Sequence, residues 1–327
     1  MNRRELLQLW SSAAVLALLP RTAVAQAAYP DRIVKLIVPR PSGGVVDVIA
    51  REWSEKVEKS FGPTYIENIG GGGGVIGAVA GARAAPDGYS LFLGTTSELV
   101  ISPIQAHQSY DPITSFEPIA ILCDSPAAIV VNADVPVKNL KELVDYARKN
   151  SGKMNYGSAG AGTVSNLAGE LFKNLAGVPE LVHIPYKGGG QAMTDLISGQ
   201  IPVATPMLSP GTLELHRQGR VRIIAVGSER RIDSMPDIPT AAEQGLPGLI
   251  ARLFVGIFAP AKTAQPILAK LQQVTQAAMK DPTLKSRFAA GGFEVVTDST
   301  PASAAEYVKK EIARWKPVLE QLNTKKT

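Results

Sequence analysis

Short apolar runs alternate with helically spaced apolar residues along the chain from Ile33 onward. Apolar runs bounded by glycine or proline are typical of buried strands, and apolar residues that recur with the period of a helix indicate helices packed on a core. This alternation predicts an α/β fold with parallel sheets that helices cover on both faces. The predicted strands cover residues 33–38, 63–67, 90–94, 117–122, 127–132, 154–157, 181–184, 201–205, 221–227, 253–259 and 293–296. The predicted helices cover residues 45–60, 75–84, 139–149, 164–176, 190–199, 210–217, 264–280, 282–290 and 301–322.

Two sheets in two lobes are expected rather than one sheet, because about eleven strands are many for a single compact sheet. The β-rich runs Ala127–Val131 and Leu253–Ala259 are the expected crossings between the lobes. Residues 26–126 and 251–327 would then form the first lobe, and residues 127–250 the second. Two crossing segments make a hinge, and a ligand would lie in the cleft between the lobes.

The stretch Pro39–Asp47 is the first candidate site, because it joins a predicted strand to a predicted helix through a loop rich in proline, serine and glycine. Free amide N–H groups and the positive end of the helix dipole meet at such a junction, which suits an anion. Asp47, near the start of the helix, could accept a hydrogen bond from a ligand or a bound water. The alternative interpretation is an ordinary strand-to-helix turn, with Asp47 offsetting the helix dipole.

A second loop of the same kind, at residues 155–166, again runs from a strand into a helix. Its small residues leave the backbone open to a ligand, and its hydroxyl groups can donate. Four or five charge-assisted hydrogen bonds of about 1.5–3 kcal/mol each would suffice for micromolar binding, which needs about 8 kcal/mol. The candidate residues of this loop are Ser158, Ala159, Gly160 and Thr163.

Two further loops have a similar character. Thr95, Thr96 and Ser97 follow an apolar run, and a cluster that caps a helix is the alternative interpretation for them. Tyr186 lies between a predicted strand and a helix and could reach a ligand, although such residues are more often found at a rim or on the surface.

The residues Gly72, Gly74 and Gly77 match the G-x-G-x-x-G pattern of dinucleotide-binding loops. The pattern lies in the second strand–helix unit rather than the first, and no acidic residue follows at the end of a second strand. Successive glycines from Gly70 to Gly74 produce such a match easily. A cofactor-dependent oxidoreductase is therefore the weaker alternative.

The N-terminus indicates export. Arg3 and Arg4 precede an apolar run from Leu6 to Leu19 that is too short to span a bilayer comfortably. The sequence Ala-Val-Ala at 23–25 then offers a cleavage site, so we expect residues 1–25 to be a signal peptide. The two arginines fit a twin-arginine signal as well as a Sec signal. The expected location is a bacterial periplasm.

Composition indicates a folded protein and gives no sign of a nucleic-acid partner. A hydrophobic content of 45% and a charged content of 19% fit a folded globular protein. The net charge of +5 is mild and no cluster of basic and aromatic residues is present, so we expect no nucleic-acid partner. Cys123 is the only cysteine, which excludes an internal disulfide and favours a small buried side chain.

Catalytic and metal-binding motifs are lacking. The sequence has no G-x-S-x-G, H-E-x-x-H, C-x-x-C or G-K-[ST] motif, and its histidines, His107, His183 and His216, are scattered. His183 lies in an apolar strand and is expected to be a satisfied core residue. We therefore expect neither an enzyme nor a bound cofactor or metal.

Several segments together carry a resemblance to a known family: PRPSGGVVD (39–47), APDGYSLFLGT (85–95), YDPITSFEPIA (110–120), NYGSAGAGT (155–163), LAGELF (167–172), HIPYKGG (183–189) and DIPTAAEQGLPG (237–248). They resemble the tripartite tricarboxylate transporter substrate-binding family, the Bug-type periplasmic receptors. The resemblance implies an α/β, two-lobed periplasmic-binding-protein fold of the venus-flytrap, type II-like kind, with a mixed, mainly parallel sheet in each lobe. It also implies that main-chain amides, hydroxyls and ordered water hold a ligand carboxylate. The residues so implied are Ser42, Gly43, Gly44 and Asp47, with Ser158, Gly160 and Thr163.

Three positions depart from the pattern of that family. Arg40 stands where an aromatic residue is usual, Ser42 where proline is usual, and Pro202 where aspartate is usual. An added cation and a lost acid near the cleft would favour a more anionic ligand. The hypothesis is that Arg40 pairs with a second carboxylate of the ligand, and the alternative places Arg40 in solvent at the rim.

The expected function is capture of a small organic carboxylate, which could be a dicarboxylate, a tricarboxylate, an amino acid or an aromatic acid. The expected partners are the membrane permease subunits of a tripartite tricarboxylate-type transporter, and the receptor itself is expected to be a monomer. A ligand sensor for a histidine kinase would use the same fold and remains an alternative beside the oxidoreductase.

Overall fold

Two β-sheets organise the chain, which the computed structural model describes over residues 29–324. In chain order, the strands are β1 (Val34–Val38), β2 (Thr64–Asn68), β3 (Ser90–Thr95), β4 (Phe116–Pro126), β5 (Ala128–Asn132), β6 (Asn155–Ser158), β7 (Val182–Pro185), β8 (Val203–Ala204), β9 (Val221–Val226), β10 (Arg252–Pro260) and β11 (Glu294–Val295). The helices are α1 (Val45–Phe61), α2 (Val75–Ala82), α3 (Ser102–Gln105), α4 (Leu140–Lys149), α5 (Val164–Ala176), α6 (Gly189–Ile197), α7 (Pro210–Arg217), α8 (Gln265–Lys280), α9 (Pro282–Ala290) and α10 (Pro301–Thr324). Every strand and helix predicted from the pattern is present, with small shifts at the ends. The expected signal peptide, residues 1–25, lies outside the described residues.

Both sheets have the same arrangement. The first has the strand order β11-β4-β10-β3-β1-β2, and the second has the order β7-β6-β8-β5-β9. In the first sheet β1 pairs in parallel with β2 and β3, and in the second β6 pairs in parallel with β7 and β8. The next strand is antiparallel in each case, β10 in the first sheet and β5 in the second. The mixed sheets that the resemblance implies are therefore confirmed, and the expectation of parallel sheets drawn from the alternation alone is wrong at β5, β10 and β11.

The chain changes sheet twice. It passes from β4 to β5 through Ala127 alone, and from β9 to β10 through residues 227–251. The first crossing is therefore the first residue of the expected run Ala127–Val131, whose other residues belong to β5, and the second crossing lies before the expected run Leu253–Ala259, which belongs to β10. Backbone hydrogen bonds join the two crossings: Ala127 N donates to Ala251 O at 2.8 Å, and Gly227 N donates to Ala127 O at 2.8 Å.

Helix α1 has the amphipathic pattern that the sequence predicts. Val46, Ile49, Trp53 and Val57 recur at helical spacing and are all buried. Burying one large apolar side chain contributes about 1.5–3 kcal/mol, so this stripe fixes α1 against the first sheet. The first turn of α1 is thereby held at the end of β1, where the first candidate loop lies.

A helical segment beyond the predicted helices follows Gly94. A π-helical turn spans Ser97–Ile101 and leads into α3, which agrees with the alternative interpretation that Thr95, Thr96 and Ser97 precede a helix. Leu99, Val100 and Ile101 are all fully buried. Successive apolar residues have neither a helical nor a strand period, so the pattern contained no signal for this turn.

We expect Gly169→Ala to lower the free energy of unfolding by about 1–3 kcal/mol, the usual cost of overpacking a core. A Cβ atom at Gly169 on α5 would lie 2.0 Å from Tyr156 Cε2. Tyr156 is fully buried and its hydroxyl donates to Glu170 Oε1 at 2.7 Å, so it has little room to move. Gly211→Ala on α7 is the control, because its nearest new contact is Ser209 Oγ at 3.9 Å. Equal stability of the two variants in urea unfolding would contradict this close packing of α5 on β6.

Candidate functional site

A cleft with a volume of about 550 Å³ has walls from both sheets' loops and helices. On one side lie the loop after β1 and the first turn of α1, and on the other lie the loops that precede α5, α6 and α7. Pockets that hold small organic ligands have volumes of about 300–1,000 Å³, so the cleft is large enough for one such ligand.

The residues predicted from the sequence fall into two groups. Those that line the cleft are Arg40, Ser42, Gly43, Gly44, Ser97, Ala159 and Thr163. Those that are not part of its lining are Asp47, Thr95, Thr96, Ser158, Gly160 and Tyr186. The second group lies behind the wall, and the hydrogen bonds of most of its members hold the loops that form the wall.

Helices α1 and α6 begin at the cleft without a capping side chain. Gly44 precedes α1 and Gly188 precedes α6, and neither residue can offer a side-chain oxygen to the first turn. The first amides of a helix have no acceptor within the helix, so these remain available as donors. Each helix also directs the positive end of its dipole into the cleft. Together the two helix starts form a place for an anion.

These two helix starts are close neighbours. A Cβ atom at Gly188 would lie 3.4 Å from Pro41 Cδ, so the loop before α6 touches the loop before α1. Gly188 and Pro41 both line the cleft. The loops that lead into the two helices therefore touch each other at the cleft.

Helices α5 and α7 also begin at the cleft, but each has a capping side chain. Thr163 Oγ1 accepts a hydrogen bond from Asn166 N at 3.2 Å, and Ser209 Oγ accepts one from Thr212 N at 3.1 Å. The hydroxyl of Thr163 is thus used by its own helix, as is common at the N-cap position. The dipoles of α5 and α7 add to the positive potential of the cleft.

Asp47 holds the first loop and does not face the cleft. Its carboxylate accepts hydrogen bonds from Gly43 N at 2.9 Å, Asn68 Nδ2 at 2.9 Å and Arg51 Nε at 2.8 Å. Burial alone would raise the pKa of Asp47, but the hydrogen bonds from Arg51, Gly43 and Asn68 outweigh it and lower the pKa. Asn68 also donates to Arg40 O at 3.0 Å, which fixes the same loop from behind.

Arg40 is buried and already has an anionic partner. Its Nη2 lies 3.1 Å from Glu98 Oε2, and its Nη1 donates to Pro39 O at 2.7 Å. The side chain of Glu98 is 0% exposed, and Thr95 donates to it from both its N and its Oγ1 at 3.0 Å. Burial raises the pKa of Glu98, and Arg40 and Thr95 oppose that shift. The pKa of Glu98 is raised overall, while three accepted hydrogen bonds favour its ionised form, in which it neutralises Arg40.

Both sequence-based interpretations of Arg40 change accordingly. The rim position is wrong, because only 8% of Arg40 is exposed. The pairing of Arg40 with a second carboxylate of the ligand stays a prediction, and Glu98 already occupies the guanidinium at 3.1 Å. Gly74 covers the pair closely, since a Cβ atom there would lie 1.9 Å from Arg40 Nη1. Arg40 therefore lines the cleft as one half of a buried ion pair.

Thr96 and Ser97 connect separate parts of the molecule. Thr96 Oγ1 accepts a hydrogen bond from Phe254 N at 2.9 Å, which ties the segment after β3 to β10. Ser97 Oγ accepts one from Val164 N at 3.3 Å, which joins the π-helical turn to the start of α5 across the cleft. Ser97 thereby uses one of the amides of α5.

Ser158 forms the back of the second loop. Its Oγ lies 2.7 Å from His183 Nε2 and accepts from Gly160 N at 3.1 Å. The ring of His183 stacks on Tyr156, with centroids 4.9 Å apart. His183 is therefore satisfied, as the sequence predicts, but it is half-buried on the edge strand β7 and is not a core residue. Ala159 N donates to Ser165 Oγ at 3.0 Å. These contacts hold the loop so that Ala159 and Thr163 lie at the cleft.

Tyr186 lies outside the cleft lining. Its hydroxyl donates to Asp195 Oδ2 at 2.7 Å, and burial together with this carboxylate raises the pKa of Tyr186 to about 12. Its ring packs against β6, because a Cβ atom at Gly157 would lie 3.0 Å from Tyr186 Cε2. The residue therefore braces α6 against the second sheet.

The glycine run that matches a dinucleotide-binding pattern has a packing explanation. Gly71, Gly72, Gly73 and Gly74 all have positive φ angles, which only glycine adopts without strain. A Cβ atom at Gly73 would lie 2.7 Å from Ala161 O, so the run also touches the second loop. The run therefore covers the ion pair of Arg40 and meets the opposite wall.

The family of the chain follows from comparison with known proteins. A family model described as the tripartite tricarboxylate transporter family receptor matches residues 49–324. The chain belongs to this receptor family. It is 35% identical over 307 residues to the UPF0065 protein in the TAR-I ttuE-ttuC' intergenic region of Agrobacterium vitis, and the match covers 93% of this chain and 88% of that protein.

Solved structures of two related proteins have the same fold as this receptor. The periplasmic binding protein BugD has 35% identity and a TM-score of 0.86, with 90% of this chain and 99% of BugD covered. MatC from Rhodopseudomonas palustris, solved with bound malate, has 31% identity and a TM-score of 0.84, with 89% and 99% covered. The two-lobed periplasmic-binding-protein fold expected from the sequence is thus confirmed. Between residues 29 and 324, the receptor has no helix that is both long enough and apolar enough to cross a bilayer.

Part of the lining was missed from the sequence. The residues in question share a position at the start of α6 or α7 or on their inner faces, and they are Gly188, Gly189, Gly190, Gln191, Met193, Thr194, Ile197, Ser209, Gly211, Thr212 and Leu215. The glycines at 188–190 follow a strand and precede a helix, which is the same signal that identified the first two loops. Met193 and Ile197 gave no signal, because apolar residues at helical spacing look like core.

We expect Asp47→Asn to lower the free energy of unfolding of this receptor near neutral pH by about 1.5–3 kcal/mol, the value of hydrogen bonds to a charged group. The pKa of Asp47 is lowered by folding, so its contribution is present above the ordinary carboxyl pKa of about 3.9 and is lost as the pH falls through the folded-state value. Urea unfolding should be measured from about pH 7 to about pH 3. The difference in free energy of unfolding between the variant and the unmodified protein should become smaller in acid.

The control for this experiment is Asp233→Asn, because the side chain of Asp233 is 89% exposed. It should change stability little at any pH. If the loss of free energy of unfolding in Asp47→Asn is the same at every pH, this result would contradict a role for the ionised carboxylate.

Proposed function

We propose that this receptor captures a small organic carboxylate in the cleft and passes it to the membrane permease subunits of a tripartite tricarboxylate-type transporter. The observation that carries the proposal is that two uncapped helix starts, those of α1 and α6, line the same cleft and that the loops before them touch. Amides held in place by the fold bind a carboxylate without loss of side-chain entropy. Four such bonds at about 1.5–3 kcal/mol each reach the free energy of micromolar binding.

The proposed lobes are residues 26–126 with 251–327 and residues 127–250. Support comes from the sheets, since the first sheet uses strands on either side of residues 127–250 and the second uses strands within that range. The hydrogen bonds among Ala127, Gly227 and Ala251 make the two crossings a single joint. We infer that the lobes rotate about this joint when a ligand enters or leaves.

We infer that the lobes are closed in this structure, because direct contacts join them across the cleft. Ser97 Oγ accepts from Val164 N, and Gly73 lies against Ala161 O. Both contacts join loops of one proposed lobe to the second loop of the other. A ligand held by amides from both α1 and α6 would add to these contacts, so binding would favour closure.

Location and assembly are part of the proposal. Residues 1–25 act as a signal peptide, through the Sec or the twin-arginine route, and the mature receptor works as a monomer in the periplasm. The family of receptors and the absence of catalytic motifs in the sequence support a protein without catalysis. A role as a ligand sensor would use the same cleft, and it is the second candidate.

Calorimetric titration of purified receptor with paired acids and amides tests the proposal. Hexanoate and benzoate are compared with hexanamide and benzamide, and malate and citrate are added as more highly charged acids. At least one acid should bind with micromolar affinity, and its amide should bind about ten- to a hundred-fold more weakly, because charge-assisted bonds contribute about 1.5–3 kcal/mol each. Failure of every acid to bind, or equal binding of the amide, would contradict the proposal. A nicotinamide cofactor found by mass spectrometry would favour the oxidoreductase instead.

Val45→Pro should weaken binding of the acid about ten-fold, because it removes one charge-assisted donor. Val45 is the first residue of α1, where proline fits the helix and costs no internal hydrogen bond. Gly44 before it has φ −84° and ψ 170°, which a following proline allows. Val45→Ala is the matched control, since it shortens the side chain but keeps the N–H. Equal affinities of the two variants would show that the amide of Val45 is not a ligand donor.

A further inference from the structure

We propose that the cleft selects an acid with a single carboxylate and an apolar aliphatic or aromatic body, in preference to a dicarboxylate or tricarboxylate. This inference rests on the proposed function, because it assumes that the cleft is the ligand site. It follows from the charge balance of the wall and from the distribution of apolar residues along α6 and α7.

The cleft offers a second carboxylate no free cation. Among the described residues that line the cleft, Arg40 is the only cationic side chain. Its guanidinium lies 3.1 Å from Glu98 Oε2, and Glu98 is fully enclosed with hydrogen bonds from Thr95 as well. A second ligand carboxylate would have to compete with Glu98 for Arg40, and Glu98 would then lose its ion pair in a buried position.

Apolar side chains of α6 and α7 line part of the cleft. Met193 and Ile197 lie one and two turns into α6, and at about 1.5 Å per residue they stand about 6 Å and about 12 Å along the axis from Gly189. Leu215 on α7 lines the same cleft. Met193 belongs to the hydrophobic core of the second sheet, and Ile197 and Leu215 pack against that core. An apolar surface therefore begins one turn from the amides that would hold the carboxylate.

The hydroxyl groups near these apolar residues are already engaged. Ser165 Oγ donates to Thr205 O at 2.7 Å, and Thr194 Oγ1 donates to Gly190 O at 3.1 Å. Ser209 Oγ accepts from Thr212 N and shares a hydrogen bond with Thr212 Oγ1 at 3.0 Å. A charged group placed against Met193, Ile197 and Leu215 would lose water, whereas a methylene or a ring would gain contact area.

Hexanoate and adipate provide the sharpest test, because they have the same six-carbon chain and differ only at the far end. Calorimetric titration of the receptor should give an affinity for hexanoate at least ten-fold higher than for adipate. Hexanoate should also bind about sixteen-fold more tightly than butanoate, because each buried methylene contributes about 0.8 kcal/mol, or about four-fold. Binding of adipate as tight as that of hexanoate, or no dependence on chain length, would overturn the inference.

Glu98→Gln tests the charge balance directly. The amide keeps the shape of the side chain but removes its charge, so the guanidinium of Arg40 becomes available to a second carboxylate. The ratio of adipate affinity to hexanoate affinity should rise at least five-fold relative to the unmodified receptor, and an unchanged ratio would overturn the part assigned to Glu98. Should this variant fail to fold, the comparison of hexanoate with adipate on the unmodified receptor still decides the inference.

The outcomes separate this inference from the proposed function. Tight binding of malate, citrate or adipate with weak binding of hexanoate would overturn the single-carboxylate inference and leave a carboxylate receptor. A folded receptor that binds none of these acids would overturn both.

Discussion

The hydrogen bonds of Asp47 hold the loop that leads into α1 at the cleft. Asp47 accepts from Gly43 N, Asn68 and Arg51, and so fixes the loop whose next residue, Gly44, starts α1. A loop free to move would let water or its own carbonyls satisfy the first amides of the helix. Because the loop is held from behind, those amides stay directed into the cleft. The carboxylate of Asp47, which the sequence suggested as a ligand contact, thus holds the loop whose amides are the proposed donors to the ligand.

A wall built in this way attracts an anion without presenting a net charge. The positive potential comes from helix starts, and the one cation in the described lining, Arg40, is balanced by Glu98. Helix dipoles act over a short range and in a fixed direction. In the proposed site, recognition depends on where the carboxylate lies, and the rest of the ligand meets side chains that belong to or pack against the core of the second sheet.

The sequence was sufficient for the elements and for the loops at the helix starts, because those features depend on neighbours along the chain. The buried stripe of α1 and the glycine loops are of this kind. It was insufficient for Arg40, whose partner Glu98 is 58 positions away, and for the bond between Asp47 and Asn68, which are 21 positions apart. The other partners of Asp47, Gly43 and Arg51, are each four positions away. The apolar part of the cleft lining was also missed, since Met193 and Ile197 have the same helical spacing whether they face a core or a ligand.

A crystal structure of the receptor with a bound acid such as hexanoate would test the central claim most directly. The account predicts carboxylate oxygens about 2.7–3.2 Å from amide nitrogens in the first turns of both α1 and α6, with the ion pair of Arg40 and Glu98 intact. A carboxylate bound to the guanidinium of Arg40, with Glu98 displaced and the helix amides facing water, would contradict it.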